Sequence, residues 1–88
     1  MRIWFKLWRD NHMLRDFVYE EFSEESRTHK VFNSIEAVSY EFDIPKPIWL
    51  EKPVRDFKKS AKARFNTDCF IEEVEFDYLE MQVLEEDY

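Results

Sequence analysis

The sequence predicts an α+β domain in the order ββααββ, an antiparallel sheet of about four strands with two helices packed on one face. Three observations carry that prediction. Residues 2–9 alternate in polarity, residues 29–42 repeat apolar side chains at helical spacing, and the apolar pattern after residue 63 returns to a period of two. No repeat, low-complexity tract or internal boundary divides the 88 residues, so one domain over 1–88 is expected.

The first strand is the clearest element. Ile3, Phe5 and Leu7 fall on one side; Arg2, Trp4, Lys6 and Trp8 fall on the other. Asp10-Asn11-His12 then supplies turn chemistry, because Asp and Asn side chains bond back to their own backbone. Residues 13–22 read as a second strand, with Leu14, Val18 and Phe22 on one face and Met13, Arg15, Phe17 and Tyr19 on the other. A hairpin is expected to join the two.

A polar loop follows over 23–27, and Thr28 is positioned to cap a helix over 29–42. Val31, Ile35, Val38 and Phe42 share one side of it, at i, i+4, i+7 and i+11. The helix should stop before Pro45, since proline disfavours α geometry in the residue before it. Residues 44–50 form a stiff apolar connector. Pro53 suits the first turn of a second helix over 52–62, with Val54, Phe57 and Ala61 buried.

Residues 63–71 are expected to form a third strand, with Phe65, Cys69 and Ile71 on one face. Residues 73–85 form a fourth. Val74, Phe76 and Tyr78 are out of phase with Leu79, Met81 and Val83, which suggests a bulge near Tyr78-Leu79. Glu73, Glu75 and Asp77 would line one face of that strand, and the last four residues should fray.

Composition excludes several chemistries. The chain has no glycine, where about six would be ordinary at this length. Phosphate-cradling loops, the dinucleotide fingerprint and the hydrolase nucleophile elbow all need glycine, for positive φ or close backbone approach. Aromatic residues make up 18% and apolar residues 44% of the chain, enough for a compact core despite 38% charged residues.

Thirteen Lys and Arg against twenty Asp and Glu give a net charge of −7. That balance argues against nonspecific adhesion to nucleic acid or anionic membrane. Charge interrupts every apolar run at the start, so no signal peptide is read there, and no stretch is apolar for the length of a membrane span. The single cysteine, Cys69, precludes an intramolecular disulfide. A cytoplasmic protein is the expectation. His12, His29 and Cys69 form no zinc spacing, the carboxylates form no calcium loop, and no pattern calls for a cofactor. No catalytic residue is singled out.

Four segments carry a resemblance: Met1-Arg2-Ile3-Trp4-Phe5-Lys6-Leu7-Trp8, Tyr40-Glu41-Phe42-Asp43, Pro47-Ile48-Trp49-Leu50 and Phe76-Asp77-Tyr78-Leu79-Glu80. Together they resemble a group of short bacterial proteins of this length with no established activity. The resemblance implies a free-standing bacterial domain and lends no catalytic or binding residue.

The remaining candidate is a surface. Trp4, Lys6 and Trp8 are expected to adjoin Arg15, Phe17 and Tyr19 on the outer face of the hairpin, mixing flat rings with cations. The connector bearing Trp49 could cover that face within the fold. Left bare, the face suits a protein partner or a second copy of the chain, where Trp, Tyr, Met and Arg are over-represented. It also has the ingredients for single-stranded nucleic acid, since rings stack on bases and cations neutralise phosphates. A non-enzymatic protein–protein interaction module, self-associating through segregated charge, is the leading expectation. A single-stranded nucleic-acid binder and a small metal-dependent nuclease-like enzyme are the alternatives.

Overall fold

The computed structural model describes residues 1–87. Strands β1 (Arg2–Arg9) and β2 (His12–Glu20) lead into helices α1 (Arg27–Phe42) and α2 (Glu51–Ser60). Strand β3 (Lys62–Asn66), a short 3-10 turn at Thr67–Cys69 and strand β4 (Tyr78–Glu85) follow. The sheet is antiparallel throughout, with spatial order β2-β1-β4-β3. The first strand therefore lies at the centre, hydrogen-bonded to its hairpin partner on one side and to the last strand on the other. Both helices pack on one face, as the sequence predicts. Among the described residues no helix is long and apolar enough to cross a membrane.

The core follows from the alternation of β1. Ile3, Phe5 and Leu7 are buried, as are their β4 neighbours Leu79 and Met81 and the β3 residues Ala63 and Phe65. Helix α1 sets Val31, Ile35, Val38 and Phe42 against this layer, all four buried. Phe57 of α2 joins them, with Cys69, Phe70 and Phe76 from the segment between β3 and β4. Each fully buried side chain of this size contributes about 1.5–3 kcal/mol relative to exposure. Burial also pushes the Cys69 thiol upward from its ordinary range, followed by the nearby Asp68 charge. It behaves as a core hydrophobe.

Several local expectations need correction. Ser26, rather than Thr28, caps α1: its side chain accepts the His29 amide at 3.2 Å. The third strand ends at Asn66, and Ile71 is exposed. The fourth begins only at Tyr78, so Glu73, Glu75 and Asp77 precede the strand instead of lining it. The phase change at Tyr78-Leu79 is thus the chain entering the strand, and the β1–β4 register slips at the opposite end, between Arg2 and Ile3.

With no glycine, positive φ falls to other residues. Asp10 (φ 51) and Asn11 (φ 64) form the two-residue hairpin turn, whose backbone twist requires positive φ at both positions. Asp43 (φ 53) ends α1. The Ile44 amide reaches the Ser39 carbonyl at 3.0 Å and the Asp43 amide reaches that of Tyr40 at 3.2 Å, the paired bonds of a Schellman cap. Ala61 (φ 56) ends α2 with its amide on the Phe57 carbonyl at 2.9 Å. Asp and Asn tolerate this region; alanine does not.

Of the last four residues, expected to fray, Glu86 and Asp87 are instead fastened, and Tyr88 lies outside the described residues. The Met1 amine donates to the Glu21 carbonyl at 2.9 Å and to Asp87 Oδ1 at 2.7 Å. Lys30, a buried lysine, donates to Asp87 Oδ2. Arg27 grips Glu86 with two bonds of 2.9 Å each. Hydrogen bonds from Lys30 and the amine hold the Asp87 carboxyl below its usual range, and Arg27 does the same for Glu86. Beside this clasp, Tyr19 donates to Glu21 at 2.6 Å. Burial and then the Glu21 bond push the Tyr19 hydroxyl up to about 12.

Two predictions follow from these features. Ala61→Gly removes a left-handed alanine and should stabilise the domain by about 1 kcal/mol, a rise of several degrees in melting temperature; an unchanged or lower midpoint would contradict the strain at Ala61. The clasp should also make stability depend on pH at both extremes. Asp87 and Glu86 are depressed when folded, so their contribution is present above about pH 4 and lost as pH falls. Tyr19 is raised, so its contribution is present below about pH 10 and lost on rising toward 12. Urea melts across pH should show both losses, with Asp87→Asn flattening the acid limb and Tyr19→Phe the alkaline one.

Candidate functional site

The sheet has a second face, turned away from the helices except at the β3 edge, where Lys52, Asp56 and Ser60 of α2 border a hollow with Lys62, Arg64, Asn66 and Glu80. Register places its residues in rows across the four strands. One row runs Val18, Trp4, Gln82, Lys62; the next Asp16, Lys6, Glu80, Arg64; the third Met13, Trp8, Tyr78, Asn66. Trp4, Lys6 and Trp8 all lie here, half-buried, as the alternation of β1 predicts.

Their side chains engage one another. Trp4 Nε1 donates to Asp16 at 3.0 Å, and Trp8 Nε1 to Glu80 at 3.2 Å. The Lys6 ammonium sits 3.8 Å from the centre of the Trp4 ring and 3.6 Å from Glu80 Oε1. Trp8 stacks on Tyr78 at 6.2 Å between centroids, and the Arg64 guanidinium lies 4.2 Å over Tyr78. Each of these contacts joins two residues of the same face; no helix residue takes part. The rings are held by neighbours on the same face, each cation–ring contact being worth about 0.5–1 kcal/mol where water still reaches.

Three other expected members of this surface are elsewhere. Arg15, Phe17 and Tyr19 pair with Leu7, Phe5 and Ile3 and so share the helix-covered face. Phe17 meets Phe42 edge-on at 6.4 Å, and Arg15 lies 4.8 Å over the same ring. The cause is one extra residue. The β1–β2 register shifts between Leu7 and Trp8, where Leu14 is left over, so Met13 stays beside Trp8 while everything after Leu14 turns over. A one-residue slip transfers a whole strand face.

Trp49 does not cover the hairpin. Its ring meets Phe57 at 5.6 Å and Phe65 at 4.8 Å, both edge-on, on the helix side. There it borders an open groove of about 330 Å³ between α1 and α2, with Val31, Phe32 and Val54. Pattern reading overlooked Tyr78, Glu80, Lys62 and Arg64 as members of the open face. Their signal was present in the alternation of residues 78–83, but joining them to Trp4 and Trp8 requires knowing that β4 pairs with β1.

The side chains without zinc spacing lie on separate elements. His12 opens β2 and His29 sits in the first turn of α1; both are exposed. The basic residues of α2 include Lys52, paired with Asp56 at 2.7 Å, and Arg55, within 3.6 Å of Glu51. Among the described residues, no three His, Cys, Asp or Glu side chains converge in a metal-holding arrangement. No family model, curated protein or solved structure matches the chain.

Because Trp4 is held only on the open face, its loss should be mild. Trp4→Ala is expected to cost about 1–2 kcal/mol, from one exposed hydrogen bond and one cation–π contact with part of the ring's burial. Phe5→Ala, one residue along and wholly buried, should cost about 3–5 kcal/mol. Equal losses in chemical denaturation would mean that the outer face is covered after all.

Proposed function

We propose that the chain is a non-enzymatic protein–protein interaction module that docks through the open face of its sheet. The observation that carries this reading is the ring–cation layer of Trp4, Lys6, Trp8, Tyr78 and Arg64, whose contacts lie wholly within that face. Large aromatic groups left on one side of a sheet are unusual unless something uses them. Trp, Tyr and Arg are also the residues that most often anchor protein interfaces.

A single-stranded nucleic acid draws on the same layer, since bases stack on rings of central strands in sheet-type RNA binders. Two features favour a protein instead. Lys6 already lies on Trp4 and Arg64 on Tyr78, so stacking bases there would first have to displace cations. Asp16, Glu20 and Glu80 stand among the rings, where phosphates would meet like charge.

Site-specific photo-crosslinking tests the reading. A photoreactive phenylalanine analogue replaces Trp8 in one version and Tyr40, 89% exposed on α1, in another. A discrete protein adduct in cells from position 8 and none from position 40 is the expected result. Equal adducts from both positions, or none from position 8, would overturn the reading. Adducts to nucleic acid from position 8 would replace it with the alternative.

A further inference from the structure

We infer that the partner on the open face is a second copy of this chain, stacked face to face about a two-fold axis parallel to the strands. The inference rests on the interaction reading above and supplies its partner.

The middle row is the reason. Across the sheet it reads Asp16, Lys6, Glu80, Arg64, which is minus, plus, minus, plus. Reversed, it reads plus, minus, plus, minus. A two-fold axis along the strands performs that reversal, because it sets β2 of one copy over β3 of the other and β1 over β4. Asp16 then faces Arg64 of the other copy, and Lys6 faces its Glu80, each twice. A two-fold axis across the strands would instead set every charge over its own kind. The charge pattern therefore selects one of the two stacking orientations, which is how complementarity commonly fixes register.

Alternation within one sheet already suits cross-strand pairing, and Lys6 and Glu80 are 3.6 Å apart. That accounts for the inner pair only. At the rims, Asp16 accepts the Trp4 indole. Arg64 lies over Tyr78 and enters no ion pair among the described residues. The second copy supplies the missing carboxylate. The same operation sets Trp8 over Tyr78 of the other copy, ring against ring, and in the other flanking row sets Trp4 over Gln82. Sheets packed in this way stand about 10 Å apart.

Size sets the expected strength. Four strands about 4.8 Å apart and roughly seven residues long present on the order of 450 Å² per copy. That lies at the low end for specific interfaces, so the dimer should be weak, concentration-dependent and sensitive to salt.

Sedimentation equilibrium over a wide protein range, at low and high salt, reads the association directly. The expected result is a reversible dimer that weakens as salt is added. Asp16→Arg and Arg64→Asp should each weaken it at least about tenfold, because like charges then face across the interface. Two further measurements separate this from misfolding. An equimolar mixture of the two single variants should recover a dimer, since each copy now offers what the other lacks. The chain carrying both substitutions should recover self-association, because its row again reverses into its complement. Circular dichroism checks the fold of each variant.

A wild type that stays monomeric throughout overturns the second copy as partner, as does a dimer indifferent to both single variants. Failure of the mixture to recover association, with both variants folded, overturns the two-fold geometry. Crosslinking at position 8 to a different protein would leave the open face as a docking surface while removing this occupant from it.

Discussion

The pairing of β1 with β4 is the constraint on which the rest of the molecule depends. Trp8 and Glu80 are hydrogen-bonded although 72 residues separate them. Through that pairing the first strand becomes central, and a central strand with a strict two-residue period has two buried or half-buried sides. Its inner side supplies Ile3, Phe5 and Leu7 to the core, and its outer side supplies Trp4, Lys6 and Trp8 to the open face. The same closure brings Met1, Lys30 and Asp87 together. Bringing distant segments into register costs loop-closure entropy before contacts repay it. The Lys30–Asp87 bond ties α1 to the chain just beyond β4 and so reinforces that closure.

The absence of glycine shapes the connections in a related way. Turns that need positive φ are built from Asp10, Asn11 and Asp43, which tolerate the region through short polar side chains. The hairpin turn is further held from outside, as the Asp10 amide donates to Asp77 at 2.8 Å and the Asp77 amide to the Trp8 carbonyl, also at 2.8 Å. The segment before β4 thus braces the hairpin tip. A chain without glycine has fewer backbone conformations to lose on folding. Ala61 is where that economy conflicts with local geometry.

Much of this was legible in the sequence, and the misses have physical causes. The period of β1 and the i, i+4, i+7, i+11 stripe of α1 are local signals backed by burial, and both elements formed with the expected residues inside. The ββααββ order followed from them. The outer face was half legible. Trp4, Lys6 and Trp8 could be placed because β1 is regular, but Arg15, Phe17 and Tyr19 went to the wrong side because Leu14 is bulged. No local residue announces that bulge. Trp49 was misplaced for a different reason: an apolar ring in an extended connector can turn to either side, and Phe57 with Phe65 offered the drier site. The clasp at Asp87 left no trace in the pattern, since an acidic tail looks the same whether solvated or paired.

The open face owes its character to this division of labour. A strand that only completed a core would carry solvated polar groups on its other side, as β3 does at Lys62. β1 instead carries two tryptophans, and their indoles are tied to Asp16 and Glu80. These bonds fix the rings in place within the chain itself, which would lower the ordering cost of the proposed association. They also leave the carboxylates oriented within a row whose charges alternate. Rigid aromatic surface and ordered charge on the same strands are what the proposed docking role needs. The physical route from the alternation of eight residues to the proposed docking surface runs through one sheet pairing.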